Sequence, residues 1–189
     1  MSKQPKENQI ILDPCCGGRM FWFDKNNPQV LFCDIRRERN MQFAENRVLD
    51  INPDVIVDVE QLPFDDETFW HIVLDPPHIV KGGNNSWLIK KYGRCPENWP
   101  EFINKAFSEC WRVLKTNGTL IFKWCEQDVT VTEIIKAIGI LPLYGHKSGK
   151  AQKTHWLCFV KMSNTVTAET DKREEKDDEQ KETTCVQGI

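Results

Sequence analysis

Short apolar runs that stop on an aspartate recur through the first half of the chain. Gln9 to Leu12 stops at Asp13, Gln29 to Cys33 at Asp34, Val55 to Val57 at Asp58, and His71 to Leu74 at Asp75. Runs this short, rich in Val, Ile and Leu and bounded by turn residues, predict buried strands. A single aspartate in such a place reads as a cap for the turn that follows. Four in phase instead put Asp13, Asp34, Asp58 and Asp75 along one edge of a parallel sheet, the edge at which open α/β sheets bind ligands. Between the third and fourth runs, LPFDDETF predicts a turn and a short connection, because Pro63 and the paired acids interrupt any long helix.

In the second half the period changes. Phe102, Ile103, Ala106, Phe107, Cys110, Val113 and Leu114 recur at helical spacing and predict a core-facing helix over Pro100 to Leu114, ended by Asn117-Gly118. Thr119 to Trp124 is a fifth strand, and Val131 to Ile138 a second helix that stops at Gly139. Leu141 to Tyr144, a basic turn GHKSGKAQKT and His155 to Met162 read as a terminal hairpin. No internal repeat is visible.

Composition changes this picture at one end only. From Ser163 onward the chain carries eight acids against four bases with almost no apolar periodicity, which predicts a disordered charged tail over 163–189 behind a single domain over 1–162. Without that segment the net charge of −3 becomes about +1, with 21 bases against 20 acids. The bases are unevenly spread: Lys81, Lys90, Lys91 and Arg94 form one acid-poor group, and Lys136, Lys147, Lys150, Lys153 and Lys161 another. Each reads either as a solvated loop or as contact with a polyanion. No apolar run approaches the roughly 20 residues that span a bilayer, and the start MSKQPKENQ lacks a signal peptide's apolar region, so the expected location is the cytoplasm with no membrane partner. The eight cysteines show no CxxC pair and are scattered through predicted strands and helices; they are expected to be reduced and mostly buried, with no metal.

Three local features carry chemistry. Gly17-Gly18 after the first strand permits a tight turn and close approach of backbone to a ligand, and Asp34 lies 17 residues after Gly17, near the spacing at which nucleotide-binding sheets place a ribose-binding carboxylate. Asp75-Pro76-Pro77-His78 joins a strand end to two rings that fix the backbone, leaving polar atoms at the sheet edge. The stretch IVKGGNNSWLIKKYGRCPENW that follows mixes Trp87, Tyr92 and Trp99 with Lys90 and Lys91, beyond a Gly82-Gly83 hinge. Such a mixture suits stacking on bases beside phosphates, or folding back as an apolar lid, and either use sets it over the site.

The series ILDPCCGG, LFCDI, DVEQLPFDDETFWHIVLDPPH and CWRVLKTNGTLIFKW resembles the class I S-adenosylmethionine-dependent methyltransferase family over residues 9 to 162. The resemblance implies a Rossmann-like seven-stranded sheet of order 3-2-1-4-5-7-6, strand 7 alone antiparallel, with helices on both faces. It implies S-adenosyl-L-methionine as cofactor. The loop with Asp13, Pro14, Cys15, Gly17 and Gly18 would wrap its methionine moiety, Asp34 followed by Ile35 would hold the ribose, and Asp58 with Val59 would flank the adenine.

The tetrapeptide resembles the (D/N/S)PP(Y/F/W) motif of methyltransferases that modify exocyclic amino groups of adenine or cytosine. An aromatic amine is a poor nucleophile because its lone pair is delocalised. Asp75 and the Pro76 carbonyl can accept its two N–H bonds and draw nitrogen toward tetrahedral geometry, Pro77 stiffens the turn, and His78 would stack on the base where the family has Tyr, Phe or Trp. The leading expectation is therefore an N-methyltransferase acting on adenine N6 in DNA or RNA. The chain has no room for a separate recognition domain, which favours exposed bases, relaxed specificity or a protein partner for target recognition. Trp87, Lys90, Lys91 and Tyr92, with His146, Lys147, Lys150 and Lys153 in the loop after Gly145, are the expected substrate contacts. A small-molecule methyltransferase of the same fold and a non-catalytic cofactor-binding module are the alternatives.

Overall fold

The structure is a computed structural model and describes residues 4–83, 86–148, 151 and 153–163. Lys150 and the charged segment after Ser163 lie outside the described residues. In chain order the elements are β1 (Ile11–Asp13), β2 (Val30–Asp34), β3 (Glu38–Ala44), β4 (Arg47–Ile51), β5 (Val55–Ile56), β6 (Phe69–Leu74), α1 (Trp87–Tyr92), α2 (Trp99–Val113), β7 (Leu114–Cys125), α3 (Val131–Ile138), β8 (Tyr144–Ser148) and β9 (Thr154–Val160). Among the described residues seven strands form one sheet of order β5-β2-β1-β6-β7-β9-β8. Only β9 runs against its neighbours, β7 and β8. This is the Rossmann-like strand order, with one antiparallel strand, expected above.

Alternation along the strands explains why the sheet is layered as it is. Leu31 and Cys33 of β2 join the large core with α2 and α3, while Val30 and Phe32 face the other way, against Cys16 and Trp22. In β7 Gly118, Leu120, Phe122 and Trp124 are buried and the residues between them are half-exposed. Helix α2 buries Phe102, Ile103, Ala106, Phe107, Cys110 and Val113. A capping box between Thr130 and Glu133 starts α3, and Gly139 ends it with φ 78°. The indole of Trp124 donates to the Val129 carbonyl at 2.9 Å and so pins the entry to α3.

On the second face, the segment 14–29 between β1 and β2 forms no helix. The Asp24 and Asn27 side chains accept the backbone N–H of Asn26 and Gln29 at 2.9 and 3.0 Å, which turns the chain before helical bonds can propagate. Cover comes from aromatic rings instead: Trp22 sits edge-on to Phe32 at 5.3 Å, and Phe21 edge-on to Trp156 at 6.0 Å.

Three elements differ from sequence expectation. Residues 36–52, for which none was expected, contain the antiparallel hairpin β3–β4, turned at Asn46 with φ 56°. Of the residues in its strands only Ile51 is buried. Strand β7 starts directly after α2, so Asn117 (φ 66°) and Gly118 belong to an irregular strand start. Only glycine fits at 118, because a Cβ there would lie 2.7 Å from the Lys115 carbonyl oxygen and 3.0 Å from that of Trp70. Finally, the strand expected at Leu141 to Tyr144 is found at Tyr144–Ser148, which puts His146 and Lys147 in β8 rather than in a loop.

The connection from β5 to β6 is held from outside. Arg112 of α2 donates to the carbonyls of Leu62 and Phe64 at 3.0 and 2.9 Å and to both oxygens of Glu109 at 2.8 Å. Glu109 in turn accepts the Leu62 N–H at 2.8 Å. Among the described residues, no helix is long and apolar enough to cross a membrane.

Candidate functional site

A cavity of about 260 Å³ opens at the carboxyl edge of the parallel strands. Its walls include Asp34 and Ile35 at the end of β2, Asp58 and Val59 after β5, and Asp75 after β6. A narrower cavity of about 40 Å³ adjoins it, walled by Gly17, Gly18, Pro76, His78 and Lys91. Cys15, Arg36, Asp75 and Tyr92 border both, so they mark where the two meet. Pro14 and Pro77 line the larger space only.

The glycine turn is tied to β2 through its carboxylate. Gly17, at φ 49°, donates its N–H to Asp34 Oδ2 at 2.8 Å. The Arg36 N–H and Nε reach Asp34 Oδ1 at 2.9 and 3.3 Å, and Arg36 Nη1 reaches the Lys90 carbonyl at 3.4 Å. Arg36 therefore spans the mouth from the end of β2 to α1. Asp58 is exposed, and its Oδ1 accepts the Glu60 N–H at 2.9 Å, closing a turn that leaves Val59 buried beside the cavity.

Asp13 stands apart from the other three. It is fully buried and lines neither cavity; Trp22 Nε1 donates to Oδ2 at 2.7 Å and the Cys15 N–H to Oδ1 at 3.3 Å. It holds the loop from beneath instead of meeting a ligand. Burial lifts its carboxyl from 3.8 to about 8, opposed by the Trp22 and Cys15 donors and assisted by the charges of Asp75 and Asp34. In the unfolded chain the same group loses its proton near 3.8, so its contribution to stability is full below that pH and is lost as pH rises toward about 8. Thermal melts across this window should fall with rising pH, and Asp13→Asn should flatten the trend; an unchanged slope in the variant would reject the assignment.

Asp75 has one oxygen taken. Lys123 of β7 reaches its Oδ2 at 2.5 Å, and Oδ1 accepts no hydrogen bond from a described residue. Pro76 is buried and Pro77 half-buried, as a rigid strand ending requires. His78 corrects the sequence reading. The residue is only 7% exposed, its ring 5.5 Å from Tyr92 and edge-on to Trp124 at 6.1 Å, so although it borders the narrower cavity it is mostly packed among those rings. Burial holds it below the ordinary imidazole range, outweighing the Asp75 charge and the Pro76 carbonyl, so the ring is neutral at pH 7. The half-buried ring at the junction of the cavities is that of Tyr92, with the Lys91 ammonium 4.8 Å from its centroid.

The remaining expected contacts are dispersed. Trp87 and Lys90 are exposed on α1 and line neither cavity. His146 and Lys147 are exposed on β8 at the far edge of the sheet, two strands beyond β7, and Lys153 is exposed just before β9. Alternation along β8 sends His146 and Lys147 to opposite faces, so they cannot act as one patch. Sequence reasoning missed Arg36 and Lys123, and it named Arg94 only within a basic group rather than as a site residue. Arg94 lines the larger cavity and donates to the Val80 and Gly82 carbonyls at 3.1 and 2.5 Å, fixing the segment after His78. The seven described cysteines are free, and five are buried.

No family model and no curated protein matches the chain. Among solved structures, a protein of Pyrococcus horikoshii is similar at 17% identity, with 80% of this chain and 81% of that one covered and a TM-score of 0.50; the two share a fold. A SAM-dependent methyltransferase of Methanosarcina mazei is similar at 12% identity, covering 82% and 92% of the two chains with a TM-score of 0.48. Another, from Aquifex aeolicus, is similar at 15% identity over 84% and 85%, with a TM-score of 0.47.

Proposed function

We propose that the chain is an S-adenosylmethionine-dependent methyltransferase whose acceptor is the exocyclic amino group of a nucleic-acid base, with adenine N6 the leading target in DNA or RNA. The observation that carries this reading is the place of Asp75, at the junction of two cavities with its Oδ1 free to accept, and of Pro76 next to it in the wall of the narrower one.

The residues present fit the cofactor. Ile35, Val57, Val59 and Phe102 give the larger cavity an apolar wall for a purine, and Asp34 and Asp58 lie beside it for hydroxyl and amino groups. Gly17 and Gly18 let the narrower cavity hold an amino-acid moiety against bare backbone. S-adenosylmethionine bound there supplies an electrophilic methyl group on a sulfonium.

The chain's own part is orientation. Asp75 Oδ1 and the Pro76 carbonyl accept the two N–H bonds of the amine, localising its lone pair, and the two prolines keep the acceptors from swinging away. Tyr92 takes the stacking place that the tetrapeptide assigned to His78, and Lys91 beside it meets a phosphate. His146, Lys147 and Lys153 line neither cavity and would serve the flanking backbone, or a protein partner, rather than position the base.

The deciding experiment incubates the protein with methyl-labelled S-adenosylmethionine and separate DNA and RNA pools, then analyses nucleosides by mass spectrometry. A methylated amino base in either pool is expected. Label in neither overturns the reading; transfer to a small-molecule pool alone would favour a small-molecule enzyme of the same fold, and calorimetric cofactor binding without transfer a non-catalytic module.

A further inference from the structure

Three neighbouring strands bring one row of side chains together on one face of the sheet. Val73 and Leu74 of β6 pair with Ile121 and Phe122 of β7, so the next residue along each, Asp75 and Lys123, stand side by side; Lys123 pairs in turn with Trp156 of β9. The Lys123 ammonium meets Asp75 Oδ2 at 2.5 Å, with the two side chains 19% and 16% exposed. Behind it are the Phe21 and Trp156 rings, each with its centroid 5.8 Å from Nζ. Those rings brace each other edge to face at 6.0 Å, and Trp156 Nε1 donates to Ser148 Oγ at 3.1 Å. The cation is thus caged, which ordinary surface lysines are not.

We infer that Lys123 is a positioning residue: it locks the Asp75 carboxylate by Oδ2 and leaves Oδ1 as the single acceptor turned over to the substrate amine. The inference rests on the function proposed above. A carboxylate on a single bond to the chain has two equivalent oxygens and rotates freely; a charged partner on one of them removes that freedom before the substrate arrives. Stability alone is a weak reason for the arrangement, since partly buried ion pairs gain little over apolar neighbours of the same volume.

Lys123→Met keeps the stem under the two rings and removes the charge, and Lys123→Arg keeps the charge on a different fork. Turnover on the nucleic-acid pool, cofactor affinity by calorimetry and thermal melting would be measured for both. For the methionine variant kcat should fall by about tenfold with cofactor affinity unchanged, and the arginine variant should recover part of the loss at wild-type thermal stability. Wild-type turnover in the methionine variant, or a loss matched by lost cofactor affinity in both variants, would overturn the inference. A wild-type protein that labels no nucleic acid would instead overturn the proposed function and the inference with it.

Discussion

Exchanging Asp75 for asparagine should cost more than exchanging it for alanine. The carboxylate has two acceptor oxygens: Oδ2 meets Lys123, and on the proposed reading Oδ1 serves the substrate amine. An asparagine has only one carbonyl oxygen, and the Lys123 ammonium, a donor with no acceptor, would claim it. The amide NH2 would then point where the substrate's own N–H groups must be accepted, setting donor against donor. Removing one preorganised group that acts on the reacting centre costs on the order of 100- to 1,000-fold in kcat. Asp75→Asn should reach that range with cofactor affinity retained, and Asp75→Ala, which leaves space for water to accept instead, should lose less. Steady-state rates on the nucleic-acid pool with calorimetric cofactor binding would check both. An asparagine variant of near wild-type rate would remove the acceptor role.

Arg112→Met should be the most destabilising change on the surface of α2. Its guanidinium is the external clamp on the β5–β6 connection, serving the Leu62 and Phe64 carbonyls while Glu109 holds the Leu62 N–H. The further ion pair to Asp66 adds little, because that carboxylate is 76% exposed. Hydrogen bonds to a charged group contribute about 1.5–3 kcal/mol each when their partners cannot be replaced by water, and here water can reach part of the site, so a total of about 2–3 kcal/mol is expected. For a domain of this size that lowers Tm by roughly 5–10 °C. Arg112→Lys should restore less than half, since one ammonium cannot match a planar fork spread over three groups. An unchanged melt would show that the connection holds itself. Because the same connection carries Asp58 and Val59 into the cavity wall, weaker cofactor binding should accompany the lower melting temperature.

How much of this was legible follows from what each residue faces. The strands ending on Asp13, Asp34 and Asp75 could be read because the residues leading into each aspartate are buried on both faces and so form a short apolar run. Helix α2 was read to within one residue, since its buried positions keep a strict helical period. The hairpin β3–β4 escaped because it buries almost nothing, and a pattern of hydrophobic positions cannot reveal an element that lacks them. Asp13 shows the limit of position-based reasoning: the strand ending was correct, yet the Trp22 indole, nine residues on, took its carboxylate inward. His78 was read from its neighbours in sequence, whereas its surroundings are set by Tyr92 and Trp124, far along the chain. Lys123 carries no local signal; only the register between β6 and β7 brings it to Asp75. Once the strand order is known, that neighbour can be counted off.

The Asp34 carboxylate already accepts three hydrogen bonds, one from Gly17 at Oδ2 and two from Arg36 at Oδ1. A ligand hydroxyl that uses it adds at Oδ2, which carries one donor, or exchanges at Oδ1, where its net affinity is the difference between two sets of bonds. The bond with least to lose is the longest, from Arg36 Nε at 3.3 Å, and the same guanidinium reaches the Lys90 carbonyl of α1. The guanidinium thus bridges the end of β2 and the helix that carries Lys91 and Tyr92, the two walls between which the cavities open.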